Sequence, residues 1–318
     1  IGNDCLIEDV GCINTTPDAC FGEGRIIPAL NEVGNGNVMI FDGLHSQLAT
    51  LMIKYEQDKA FTDTVHQLVK KSIADQSLPI TTIGNAVRIT ATHDIIDGAL
   101  RLRDCTLKSI PEACVTIGVG VICQNSVIYN GSTITNSAKL KNCFVGEACE
   151  ITDGFTAENS LFFANCYMSN GEACAAFCGP FSASHHKSSL LIGGMFSFYN
   201  AGSGTNFSNH AYKMGPLHWG VLERGTKTAS GSYILMPAQI GTYSVCFGKL
   251  MHHPDTRKLP FSYLIAYGDD MYLVPGRNLT TVGLYRDIRK WPKRDKRQNN
   301  GKSSIINFDW LSPFTVGE

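Results

Sequence analysis

Residues 122–151 read ICQNSVIYNGSTITNSAKLKNCFVGEACEI. Cut into sixes, the stretch opens its units on Ile122, Ile128, Ile134 and Leu140. After a one-residue slip, Val145 and Ile151 continue the series. A small residue follows four places on, at Ser126, Ser132, Ala138 and Cys149. Ile1, Ile7 and Ile13, and again Ile83, Ile89 and Ile95, keep the same spacing. A period of six matches neither the 3.6 of a helix nor the 2 of a half-buried strand. It predicts a triangular solenoid in which each unit is one short strand and one corner, three units making a coil of about 18 residues. Coils then stack by parallel pairing at a spacing of ~4.8 Å. The aliphatic residue fills the interior, the small residue lets the corner turn inward, and Asn and Gly tolerate the left-handed backbone of the corners.

Composition agrees. The chain has 318 residues, 43% of them hydrophobic and only 17% charged, which suits a fold with many small inward positions. A net charge of −1 gives no global attraction to nucleic acid or an anionic membrane, so neither is expected as a partner. No apolar run is long enough to span a bilayer and no leader pattern opens the chain. It begins and ends mid-pattern, and we expect a fragment of a longer cytoplasmic protein. The twelve cysteines form no Cys-x-x-Cys array, so they are expected to be reduced, buried and structural. His252 and His253 are adjacent and would point to opposite faces of a strand, so no metal is expected.

Four segments follow. Residues 1–43 hold the first coils and a loop. Residues 44–78 hold a helical hairpin, with Leu44, Leu48, Leu51, Met52 and Tyr55 on one helical face and Phe61, Val65, Leu68, Val69 and Ile73 on the other. Residues 79–262 form the main solenoid. Residues 263–318, where the repeat stops after Pro260, form a mixed extension. Its basic run from Arg286 to Lys302 could form a phosphate or nucleic-acid patch, but it reads first as a solvated linker or helix end, because Pro292 and Asn299-Asn300-Gly301 interrupt any continuous face.

The repeat resembles that of the hexapeptide-repeat transferase family. That resemblance implies an all-β, left-handed parallel β-helix and membership of an acyltransferase superfamily. The stretch 182–210, SASHHKSSLLIGGMFSFYNAGSGTNFSNH, is further similar to the acetyltransferase half of the bifunctional UDP-N-acetylglucosamine pyrophosphorylase family. Alignment on Asn200-Ala201-Gly202-Ser203-Gly204-Thr205 implies His186 as catalytic base, with His185 its competitor. It implies Asn200 as a contact to the sugar phosphate and Asn209 and His210 as contacts that orient acceptor and acetyl-coenzyme A. Ala229–Pro237 resembles the family's coenzyme-contacting run, which implies Ser230, and Gly248 beyond it, along the coenzyme groove. Ser189 stands where the family has a substrate-binding Tyr, so the acceptor is expected to differ.

The residue types suit acyl transfer. Histidine, with an unperturbed pKa near ~6.5, takes a proton from an attacking amine or hydroxyl at neutral pH. Glycine backbone N–H groups or a Ser hydroxyl stabilise the oxyanion. Arg224 and Lys227, flanking Gly225-Thr226, are candidates for coenzyme phosphates or an acidic acceptor. The expected activity moves an acetyl or other acyl group from acyl-coenzyme A to an amino-sugar phosphate or sugar nucleotide, in a homotrimer. Two other readings stand beside it: a non-catalytic scaffold or sugar-nucleotide-binding module, and a metal-dependent hydratase, for which the histidine spacing gives no clear ligand set.

Overall fold

A computed structural model of the chain describes residues 5–14, 20–75, 87–89, 95–208, 219–298 and 303–318. It is a parallel β-solenoid of about 9 turns with few helices and a mixed sheet at its C-terminal end. Three long sheets of 7, 10 and 9 strands form its faces. Register partners on successive coils recur at 17 residues: Thr116, Thr133, Glu150 and Tyr167 lie in one line across neighbouring strands.

The coil length explains the slip in the sequence. The buried inward series runs Ile117, Cys123, Ile128, Ile134, Leu140, Val145, Ile151, Ala157, Phe162 and Met168. Its steps are six, five, six, so one strand in each of these coils is a residue short, whereas Thr228, Ile234, Ile240 and Cys246 in the last coils keep steps of six. Ile122, expected inside, is therefore half-exposed, and Cys123 takes the interior position. Corners absorb the turn in left-handed backbone, with φ of 50° at Asn125, 50° at Asn136, 53° at Asn142 and 48° at Asn159. The cysteines behave as expected where they face inward. Cys123, Cys143, Cys149, Cys166, Cys178 and Cys246 are buried thiols, and burial pushes Cys143 and Cys246 up to about 12.

Each face has its own cover. On one sheet the outward line Val127, Phe144, Leu161, Phe177 and Met195 is as apolar as the inward line behind it. A sheet apolar on both sides must be covered, and here an excursion of the chain covers it. That excursion holds an antiparallel hairpin, Arg25–Pro28 with Asn37–Ile40, and two helices, α1 (Ser46–Lys54) and α2 (Lys59–Asp75). The helices fall where the apolar spacing put them. Their buried face differs: Leu44, Ala49, Met52 and Val69 are inside, while Leu51, Tyr55 and Leu68 are exposed. The hairpin, which the sequence placed with the first coils, shares the helices' core. Lys108 and Tyr129 of the solenoid hold Asp42 of the excursion, the Tyr129 hydroxyl donating at 2.6 Å.

The repeat also outlasts Pro260. Tyr263–Tyr267 pairs in parallel with Val245–Phe247 before Asp270–Val274 closes the sheet antiparallel. Among the described residues no helix is long and apolar enough to cross a membrane.

Two expectations test this packing. Phe162 is fully buried and edge-on to Phe155, with ring centroids 6.1 Å apart. Phe162→Ala should cost about 3–5 kcal/mol in chemical denaturation. Glu223, in the last coils, is pushed by burial and by Glu318 from its ordinary 4.5 to about 7. A carboxyl whose folded pKa is raised penalises the folded state as pH climbs from 4.5 through 7. Glu223→Gln should therefore raise the melting temperature at pH 8 and leave it nearly unchanged at pH 4.

Candidate functional site

The first sheet carries a different outward line. Glu150, Tyr167, Ala183, Asn200, Lys227 and Val245 are successive register partners. Behind them the inward positions change from Ile151 and Met168 to Ser184, Ala201 and Thr228. The interior there is knit by hydroxyls: Tyr199 and Thr205 each lie 2.8 Å from Thr228 Oγ1. Small residues and a polar interior set Asn200 and Lys227 on a firm, shallow floor.

The C-terminal segment forms a wall over this floor. Helix α3 (Val282–Lys290) and the turn after it face the solenoid with Leu284, Ile288 and Trp291, spaced four and three residues apart. Trp291 is edge-on to Phe198 at 4.8 Å. Asp287 receives Lys227, and Arg286 lies against the same carboxylate at 3.3 Å. Further along, Asn165 donates to Asp295 at 3.0 Å and accepts from the Lys296 N–H at 2.9 Å. Arg297 grips Asp295 through two bonds of 2.9 Å and donates to the Ser304 carbonyl at 2.5 Å. The fully buried Glu147 carboxylate accepts from the Ser303 hydroxyl at 3.1 Å and from the Ser303 and Ser304 N–H groups. The basic run is thus no solvated linker. It is folded back and tethered to the solenoid at Lys227, Phe198, Asn165 and Glu150.

Between floor and wall lies a groove of about 830 Å³. Lys227, Arg286, Lys290, Lys293, Arg294 and Lys296 line it, against only two carboxylates, Glu150 and Asp287. His185 lines it too. Its ring stacks on Tyr167 at 5.3 Å with planes 6° apart, and His186 packs against it at 4.3 Å. Its Nδ1 is buried without a hydrogen-bond partner among the described residues. Burial, His186 and Arg294 all lower the His185 pKa, so the ring is neutral near pH 7. Burial, Arg286 and Lys290 pull Lys227 down to about 8, while Asp287 against it favours the charged form.

The expected residues part company here. His185, Asn200 and Lys227 share the groove. His186 is exposed at its rim and does not line it. Arg224 lies elsewhere: its guanidinium sits 4.2 Å over Phe198 and donates to the Asn307 carbonyl at 2.6 Å. Ser230, exposed at a corner, and Gly248, at a φ of 78°, also stand outside the groove. Asn209 and His210 lie outside the described residues. Sequence reasoning missed Tyr167 and Glu150, and it noted the basic run without placing it over the site. Steps of 17, 16 and 17 residues carry Glu150 through Tyr167 and Ala183 to Asn200, and the Leu284, Ile288, Trp291 spacing would have given the wall its buried side. Among the described residues no group of His, Cys, Asp and Glu is arranged to hold a metal ion.

Compared with known proteins, residues 1–318 match the family model described as a domain of unknown function (DUF4954). The search of curated proteins returned no match. A proton NMR titration tests the electrostatics: His185 should titrate below a free histidine, and Arg294→Ala should move it up, because one of the positive charges that opposes protonation is gone.

Proposed function

We propose that this chain, which belongs to the DUF4954 family, is an acyltransferase whose reaction takes place in the groove under the C-terminal wall. The observation that carries the reading is that His185, with a neutral ring and an unpartnered Nδ1, shares one cationic groove with Asn200 and Lys227. In this reading the imidazole of His185 takes the proton from an acceptor hydroxyl or amine. The acceptor oxygen or nitrogen bonds to the thioester carbonyl of an acyl-coenzyme A, and the carbon–sulfur bond breaks. The departing thiolate recovers the proton from the imidazolium. Asn200 orients the acceptor, and the cations of the wall attract its phosphate. The base is His185 rather than His186, because His186 is exposed at the rim and does not line the groove.

A second reading, binding without turnover, is favoured by Asp287, whose carboxylate already occupies Lys227. One assay separates the two. With acetyl-coenzyme A and a panel of amino-sugar phosphates and sugar nucleotides, thiol release should be seen, and His185→Ala should reduce kcat by about 10²–10⁴-fold. His186→Ala should have a much smaller effect. The rate should rise with pH through a value below 6.5 and then level off, because the lowered pKa leaves the base free above it. Ligand binding with no thiol release from any acceptor would leave only the second reading.

A further inference from the structure

The wall does more than roof the groove. Of the six cations that line it, Lys227 and Arg286 share Asp287, and Lys296 reaches Glu150 at 3.3 Å. Lys290, Lys293 and Arg294 have no carboxylate partner among the described residues. They follow one another over a single turn, and Trp291 between them is buried against Phe198. The backbone that carries them is therefore held, and all three side chains line the same groove, Lys293 and Arg294 at its solvent side. Concentrating unpaired positive charge costs stability unless something offsets it. Two of the three also act electrostatically on groups of that cavity: Arg294 disfavours protonation of His185, and Lys290 disfavours that of Lys227.

We propose that Lys290, Lys293 and Arg294 form a seat for the diphosphate group of a small-molecule ligand that lies in the groove. Three unpaired cations balance the roughly three negative charges that two linked phosphoryl groups carry, whereas one phosphate monoester brings about −1.5 to −2. The arginine offers a planar fork to one phosphoryl group, and the two lysines act as point charges along the other. At about 830 Å³ the cavity is sized for one such molecule, not for a polymer that tracks along a surface. The seat deepens the transferase reading by naming the ligand class of the same groove, and it rests on that groove being the binding site.

The test is calorimetric titration of the whole chain with inorganic pyrophosphate, inorganic phosphate and glucose 1-phosphate at fixed ionic strength. Pyrophosphate should bind one to one and at least tenfold more tightly than either monophosphate. Lys290→Ala combined with Arg294→Ala should weaken pyrophosphate at least tenfold and leave the melting temperature within a few degrees. Lys258→Ala together with Lys249→Ala, which removes two exposed lysines outside the groove, should leave pyrophosphate binding unchanged. Equal affinity for pyrophosphate and phosphate, or unchanged binding by the Lys290, Arg294 double variant, overturns the seat. So does a single-stranded oligonucleotide that binds more tightly and displaces pyrophosphate. The two readings fail separately: pyrophosphate binding without any thiol release sinks transfer alone, and thiol release that pyrophosphate does not inhibit sinks the seat alone.

Discussion

Everything in this chain depends on the parallel pairing of one coil with the next. Backbone N–H and C=O groups of each short strand are satisfied by the coils on either side, so every residue has a fixed partner one coil away. That constraint turns a local spacing into three long lines of side chains. An inward line packs with Ile117, Ile134, Ile151 and Met168. The outward lines are then free to differ, and they do. One is apolar and covered by the helical excursion, one is polar and covered by the C-terminal wall, and one, with Lys139 and Glu172, is left to solvent.

The interior also decides where a site fits. Aliphatic residues fill most coils, but below Asn200 and Lys227 the filling is Tyr199, Thr205 and Thr228 joined by hydroxyl bonds. The long ring of Tyr199 spans the space that small residues leave, stacked on Phe196 at 4.9 Å. Buried hydroxyls satisfied by one another hold a single arrangement better than an all-aliphatic core does. That network lies directly beneath Asn200 and Lys227, where an amide and a cation must keep their positions.

How far the sequence disclosed this depends on which forces act locally. The solenoid was legible because each six-residue unit carries its own aliphatic and its own small residue. The slip at Val145 was visible, but not that it recurs at Ile128 and Phe162, since Ile122 and Cys123 are both acceptable inside. The helices were legible from spacing, yet Leu51 and Leu68 were assigned inward because periodicity does not say which edge of an apolar stripe meets the partner sheet. The site was legible only on its floor, at His185, Asn200 and Lys227. Its wall comes from more than 50 residues later in the chain, where Asp287, Asp295 and Trp291 look like parts of a charged linker until the surfaces they meet are known. No local pattern encodes that Glu147 will receive Ser303.

The two anchorages of the wall have a consequence for how this protein can change. Asp287 meets the rung of Lys227, and Lys296 meets the rung of Glu150. Four steps of the ladder separate those rungs, roughly 19 Å at the spacing of neighbouring strands. The wall is thus a ruler of fixed length laid along the solenoid. Gain or loss of a whole coil is the natural mutation of such a stack, since it keeps all pairing intact. A coil duplicated inside the ruled interval would pull Asp287 and Lys296 off their rungs together. The helical excursion rules the neighbouring face in the same way, since Lys108 and Tyr129 hold Asp42, so the covered coils are frozen in number and only coils beyond both covers are free to drift.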